Sequence, residues 1–308
     1  MQTAAESYEL AAAIGGTPLL QLRRLAPANP NVEIFVKAEF LNPGGSVKDR
    51  AARAIIDDAR HRGLLRHGST ILDATSGNTG IAYAMLAAAH GYKLTLCVPE
   101  NVTPERLRIL HAYGAHVVLT SAMEGSDGAI REAARIHEAN PAAYFYADQY
   151  NNAANWRAHY ASTGREILEQ TRGRITHFVA GLGTSGTFVG TGRRLREHDP
   201  GIRLISVQPD SPLHAIEGLK HMASAIRPGI YDNSLVDDNI FVSTETAQTF
   251  TRRLAFDEGL LVGVSSGAAL AASLEVASSL DAGVIVTVFP DTGSRYTTER
   301  FWETGEHR

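Results

Sequence analysis

Short apolar, β-branched runs alternate along this chain with segments whose apolar residues recur every three to four positions. That is the pattern of strands alternating with helices. Positions 69–73 read as a strand, 80–90 as a helix, 93–98 as a strand, 104–113 as a helix and 116–119 as a strand. A second series reads 176–180 (strand), 187–198 (helix), 203–207 (strand), 244–257 and 267–280 (helices) and 284–289 (strand). Each series is a succession of βαβ units, so the expected fold class is α/β, with two three-layer α/β domains built on mostly parallel sheets. No short-period repeat, low-complexity tract or charge run offers an obvious linker. The boundary is set near 149–155, where Asn151, Asn152 and Asn155 signal a turn.

The 308 residues suffice for two modest cores, and the hydrophobic (44%) and charged (20%) fractions are those of an ordinary globular protein. A formal net charge of -4 gives no global attraction to nucleic acid or an anionic membrane, which weakens readings as a binding module. The first residues lack a basic and apolar leader pattern, and no segment is long and apolar enough to span a bilayer, so the expectation is a cytoplasmic protein. A single cysteine, Cys97, excludes an intrachain disulfide; within Leu94-Thr95-Leu96-Cys97-Val98 it reads as a buried strand thiol. The scattered histidines give no ligand-spaced metal site with it.

Four loops that open helices carry the candidate chemistry. In Asn42-Pro43-Gly44-Gly45-Ser46-Val47-Lys48-Asp49-Arg50, Ser46 and Asp49 have capping-box spacing, which puts Lys48 in a first helical turn. A cation there opposes the helix dipole at a cost of ~0.3–1 kcal/mol. The same position lowers the lysine's pKa, as an amine that attacks an aldehyde requires. The alternative is an exposed lysine paired with an aspartate.

The second loop, Thr75-Ser76-Gly77-Asn78-Thr79-Gly80, follows a strand and offers unpaired N–H groups among small polar residues, an anion site. Capping by Thr79 or Ser76 is the simpler account of it. Gly181-Leu182-Gly183-Thr184-Ser185-Gly186-Thr187 has the glycines and hydroxyls of a phosphate cradle, and it also fits G-x-G-x-x-G, with Asp210 where a ribose-binding acid would fall. A nicotinamide-dependent oxidoreductase is therefore a rival, although it leaves Lys48 and the second loop without a role. The fourth loop, Val264-Ser265-Ser266-Gly267, read alone, is a serine N-cap.

Taken together, "GGTPLLQL", "GGSVKDR", "TSGNTG", "GLGTSGT", "GVSSGA" and "GSRY" resemble, in order and spacing, the cysteine synthase family of fold-type II pyridoxal-phosphate enzymes, whose fold is tryptophan synthase β-like. The resemblance implies pyridoxal 5'-phosphate as cofactor and β-replacement on an activated serine, O-acetyl-L-serine or O-phospho-L-serine, by a sulfur donor. Lys48 resembles the Schiff-base lysine and α-proton base. Asn78 matches the residue that bonds the cofactor's 3'-oxygen. Thr75, Ser76, Gly77, Thr79 and Gln149 match the binding residues of the substrate carboxylate. Gly183, Thr184, Ser185, Gly186 and Thr187 match the phosphate loop, and Ser265 the serine facing the pyridine nitrogen. A neutral hydroxyl there makes the ring a weaker electron sink and favours β-elimination and replacement.

By the same resemblance, 41–150 is a smaller mobile domain that binds the substrate carboxylate, while 1–40 and 151–308 form a larger domain holding the cofactor. Asp291 is similar to the B-type members, and Lys220 aligns with a position that is basic in some B-type and phosphoserine-using members. Lys220 is thus a candidate reader of a charged leaving group, or else a solvated lysine on a mobile loop. A homodimer is implied, and a sulfur-carrier protein is one of the donors compatible with the chemistry. Another β-replacement enzyme, such as a cystathionine β-synthase, remains the alternative within the family.

Overall fold

The computed structural model describes residues 9–75 and 77–303. Ser76 of the second loop lies outside the described residues. Two sheets carry the chain. The first strands are β1 (Leu19–Gln21) and β2 (Val32–Ala38), followed by helix α1 (Lys48–His61). Then come β3 (Thr70–Ala74), α2 (Asn78–His90), β4 (Lys93–Pro99), α3 (Pro104–Ala112), β5 (His116–Thr120), α4 (Gly125–Ala139) and β6 (Tyr144–Tyr146). After α5 (Ala153–Ala161) and α6 (Thr163–Thr171) the chain returns through β7 (His177–Gly181), α7 (Gly186–His198), β8 (Arg203–Pro209), β9 (Asp238–Val242), α8 (Thr244–Glu258), α9 (Val264–Ser278) and β10 (Gly283–Phe289).

The six-stranded sheet has the order β1-β2-β10-β7-β8-β9 and the four-stranded sheet β5-β4-β3-β6. Every pairing is parallel except β1 with β2. Alternation along the strands makes each sheet the middle of three layers. Val179, Ile205 and Ile285 point into a core shared with Leu270 and Ala272 of α9, whereas their neighbours Phe178, Leu204 and Val286 meet Phe188, Val189 and Leu195 of α7. In the smaller sheet, Ile71, Leu94 and Leu96 pack with Ile55, Tyr83 and Leu86 of α1 and α2, while Leu72, Ala74 and Cys97 meet Ala129 and Ala133 of α4. Cys97 is the buried strand thiol the sequence suggested; burial pushes it up to about 12.

The elements read from sequence all recur, with no end displaced by more than three residues. The pattern reading did not register β1, β2, α4, α5, α6, β6 and β9. Helices α5 and α6 follow each other with one residue between them, and β6 and β1 are three-residue strands, too short for a period to register. The caps of α1 and α9 differ from expectation. No capping box forms at α1: Asp49 Oδ2 turns back to accept from Gly44 N at 2.6 Å, and Val47 takes the N-cap position without a side-chain bond. Helix α9 begins at Val264, one turn earlier than a serine cap would allow, with Gly263 at its N-cap.

A buried ion cluster joins β2 to α1 and α6. Arg50 donates through Nε to Glu39 Oε2 at 2.8 Å and through Nη1 to Glu166 Oε1 at 2.7 Å, and Lys37 Nζ lies 2.6 Å from Glu166 Oε2. Thr17 Oγ1 and Gly16 N satisfy the remaining lone pairs of Glu39 and Glu166. Two cations and two carboxylates therefore neutralise one another where water is excluded, the condition under which such a group is tolerated. Burial alone would raise the Glu166 carboxyl, but the bonds and charges of Arg50 and Lys37 outweigh it and bring it down to about 2.

The sign follows from linkage: a carboxylate held below its ordinary value of 4.5 contributes stability above pH 4.5 and loses it as the pH falls toward about 2. Glu166→Gln leaves Lys37 and Arg50 sharing one carboxylate and is expected to cost ~3–5 kcal/mol in a urea titration at neutral pH. The variant should also lose less stability than the parent between pH 4.5 and 2; an equal loss would exclude Glu166 as its source.

Candidate active site

Both sheets direct their carboxyl ends at one cleft, and each does so at the point where its strand order reverses. In the larger sheet the chain passes from β7 outward to β8 and β9, then back to β10 on the other side of β7. In the smaller, β3 leads outward to β4 and β5, and β6 returns on the other side of β3. Crevices at such reversals are where open α/β sheets bind ligands. One pocket receives both: Thr75, Gly77, Asn78 and Thr79 follow β3, Gln149 and Tyr150 follow β6, Gly183, Thr184, Ser185 and Thr187 follow β7, and Asp291 follows β10. Lys48 and Ser265, first and second residues of α1 and α9, complete it with Lys220.

Gly186 is absent from that lining. It is the first residue of α7, and a methyl there would strike the Asn155 carboxamide, so its small size serves the packing of α7 on α5. Ser185 is a non-glycine residue at φ 68°, and its buried Oγ has no hydrogen-bond partner. A strained serine with an orphan hydroxyl at a helix N-terminus fits an anion such as a phosphate, which would accept from it and from the free N–H groups of α7. Thr184 Oγ1 is held at 3.2 Å by Asn155 Nδ2, and Thr187 Oγ1 stands 3.3 Å from His159 Nε2. Burial keeps His159 neutral, well below its ordinary range, with Arg50 and Lys48 acting in the same direction.

At α2, whose N-cap residue is Gly77, Thr75 supplies a side-chain acceptor: its Oγ1 accepts from Gly77 N and Gly80 N, each at 3.1 Å. Thr79 Oγ1 donates instead to Gln149 Oε1 at 2.8 Å, and Gln149 Nε2 donates to Ala74 O at 2.7 Å. Gln149 is thus tied both to the end of β3 and to the start of α2. Beneath it Asp73, whose carboxyl burial raises to about 7, accepts from Ala74 N at 2.8 Å.

Lys48 opens α1 as expected, but the cause of its lowered pKa is different. Burial is the main cause, opposed by the charge of Asp291. Asp291 is a residue to which sequence reasoning gave no role in the site. Its Oδ2 accepts from Asn78 Nδ2 at 2.7 Å and from the Tyr296 hydroxyl, and its buried Oδ1 has no partner. Arg295 donates to Asn78 Oδ1 and to Gly44 O, so Asn78 is gripped at both ends of its amide. The "GSRY" segment that contains Arg295 was the available signal. Lys220 is not solvated: it is buried, with Nζ 3.0 Å from Asp127 Oδ1 and 5.0 Å from the centre of the Tyr150 ring.

Residues 10–291 match the family described as "Pyridoxal-phosphate dependent enzyme". A cysteine synthase of Aquifex aeolicus is 52% identical over 291 residues, which cover 92% of this chain and 89% of that protein. Cysteine synthase B of Salmonella typhimurium is 43% identical, with 92% of each chain covered. A solved cysteine synthase (OASS) from Entamoeba histolytica superposes with a TM-score of 0.92 at 34% identity, covering 99% of this chain and 94% of that one.

The lining fits such a cofactor, and the close approach of two of its loops, those after β7 and β8, can be tested. A methyl on Gly183 would collide with the Gly218 carbonyl. Gly183→Ala is expected to push the two loops apart and weaken retention of pyridoxal phosphate at least about tenfold, the effect of losing one well-aligned charged hydrogen bond. Absorbance after dialysis against buffer measures it; full retention would show that the loop does not carry the cofactor.

Proposed function

The chain belongs to the pyridoxal-phosphate-dependent enzyme family, and from that premise we propose that it makes L-cysteine by β-replacement on an activated L-serine. The observation that carries the reading is the convergence, in one pocket, of a desolvated lysine with two loops that open helices. In this reading Lys48 holds the cofactor, Asn78 contacts its ring oxygen, Ser265 faces its ring nitrogen, and Gly183, Thr184, Ser185, Gly186 and Thr187 hold its phosphate. When bound, pyridoxal phosphate supplies an electron sink that makes the substrate α-proton acidic.

The remaining steps are work for the chain's own groups. Thr75, Ser76, Gly77 and Thr79 bind the substrate carboxylate with Gln149, through N–H groups and hydroxyls at the start of α2. That contact fixes the α-carbon against Lys48, whose Nζ, displaced by the substrate's amine and shifted toward its neutral form by burial, would take the α-proton. The β-substituent leaves, and a sulfur nucleophile bonds to the same carbon. Lys48 then returns the proton. The smaller unit, 41–150, closes on the carboxylate and keeps water from the reacting carbon.

O-Acetyl-L-serine or O-phospho-L-serine would be the first substrate, and a small sulfur compound or a sulfur-carrier protein the second. The reading includes a homodimer acting in the cytoplasm. A nicotinamide-dependent reading of Gly181, Gly183 and Gly186 is set aside, since the family match absorbs that loop.

The purified protein is expected to be yellow, and borohydride should bleach the colour and leave the reduced adduct on Lys48. Peptide mapping that finds it on any other lysine removes the mechanism. Gln149→Ala and Thr79→Ala should keep the colour while slowing the first half-reaction about ten- to a hundredfold, because each loses orientation and not chemistry. Stopped-flow absorbance with O-acetyl-L-serine measures this; unchanged rates would move the carboxylate elsewhere, and loss of colour would reassign both residues to the cofactor.

A further inference from the structure

The segment Glu217-Gly218-Leu219-Lys220, between β8 and β9, forms one wall of the pocket, and it is pinned at both ends by residues of the smaller sheet's helices. At one end Arg106, a buried residue of α3, pairs with Glu217. At the other, Asp127 in the first turn of α4 accepts from Lys220 Nζ at 3.0 Å through Oδ1 and from Ile226 N at 3.0 Å through Oδ2. Between the pins Gly218 adopts φ 87°, a turn that other residues rarely make. The Lys220 N–H donates to Leu182 O at 2.8 Å, so the wall is keyed to the loop after β7. A Cβ on Gly77 would lie 3.0 Å from Glu217 Oε1, so the other end is keyed to the loop after β3.

We propose that Arg106 and Asp127 are positioning residues that, through Glu217 and Lys220, hold this wall across the pocket and so couple the two units on either side of it. Neither lies on the lining of the pocket itself. Their partners do, and the pairs cross from the helices of one sheet to a loop of the other. Opening the cleft must break both pairs, and closing it must remake them. The wall is therefore positioned only while the units are together, and the pins set how often bulk solvent reaches the bound cofactor. Lys220, engaged by Asp127 and by the Tyr150 ring, is in this account a structural pin with its charge already matched.

The inference rests on the reading of this pocket as the cofactor site, and the test separates the two. Holoenzyme carrying Asp127→Asn or Lys220→Met is compared with the parent for amide hydrogen exchange in 217–226 and for the rate of borohydride bleaching. Each substitution is expected to raise both about tenfold, the loss of one charge-assisted hydrogen bond. The double variant should exceed either single by less than threefold, since one pair is broken in all three cases.

Lys220→Arg, which keeps the charge and its donors, should hold exchange near the parent rate, which a merely unfolded loop would not do. Glu217→Gln gives the same readout at the other pin. Exchange unchanged in Asp127→Asn and Lys220→Met overturns the proposal, as do effects of the two that multiply independently. A protein that is colourless, or inert to borohydride, counts against the cofactor reading alone, because the exchange measurement still decides the pins.

Discussion

The first N–H groups of a helix that follows a parallel strand have no partner within the helix, and the architecture of this chain places several such helix starts around one cavity. Parallel strands all point their carboxyl ends the same way, so the loops that leave them collect on one edge. With two sheets facing each other across a cleft, the collected donors of both lie within one pocket. An anionic ligand is then the natural occupant, and a lysine beside such donors is electrostatically out of place. Lys48 relieves the conflict by burial, which favours its neutral form, the form a nucleophilic or basic amine needs.

The charges that are not used for ligands are dealt with by pairing. Arg50, Lys37, Glu39 and Glu166 form a closed group under α1, which lets the helix bearing Lys48 be anchored without adding net charge near the site. On the other side of the pocket Asp291 and Arg295 grip Asn78 from opposite ends of its amide. These anchors are polar because the surfaces they join are polar: the helix starts and strand ends around the pocket present N–H and C=O groups that an apolar side chain would leave unpaired.

Most of the architecture was legible because it is written in local signals. Runs such as Val179 and Val207 alternating with polar or oppositely directed neighbours, and glycine-rich turns at 77, 183 and 186, need no knowledge of distant residues. The loops that open α2 and α7 were legible for the same reason, since each sits where a strand ends and a helix begins, whereas Gln149, Ser265 and Lys220 were named only by family resemblance and Asp291 was given no role. Long-range partners were not legible. Nothing near Asp291 in sequence points to Asn78, 213 positions away, and nothing near Lys220 points to Asp127, 93 positions away. Capping was misjudged at 46–49 and 265–266 because a spacing rule sees only the chain: Asp49 had a nearer donor in Gly44 N, and Gly263 freed both serines to enter α9.

The character of the contacts between the two units bears on how they could work. Each unit has an apolar core on both faces of its own sheet, but Ile14 and Ala154 of the larger unit pack into the smaller unit's cluster, so the cleft opens without exposing a hydrophobic seam only where that contact stays closed. An apolar seam would cost about 25 cal/mol for each Å² exposed, and a cleft lined that way would open rarely. Ion pairs behave differently. Asp127 and Glu217 keep 24% and 33% of their side-chain surface exposed, so water replaces the lost partner as soon as the pair parts. Lys220 and Arg106 are buried while paired, so opening exchanges two partly buried pairs for hydrated ions, and the hydration gained offsets the attraction lost. A site that must admit an amino acid, exclude water and release a product needs a closed state of that depth, tight enough to orient the substrate and shallow enough to be left on every turnover.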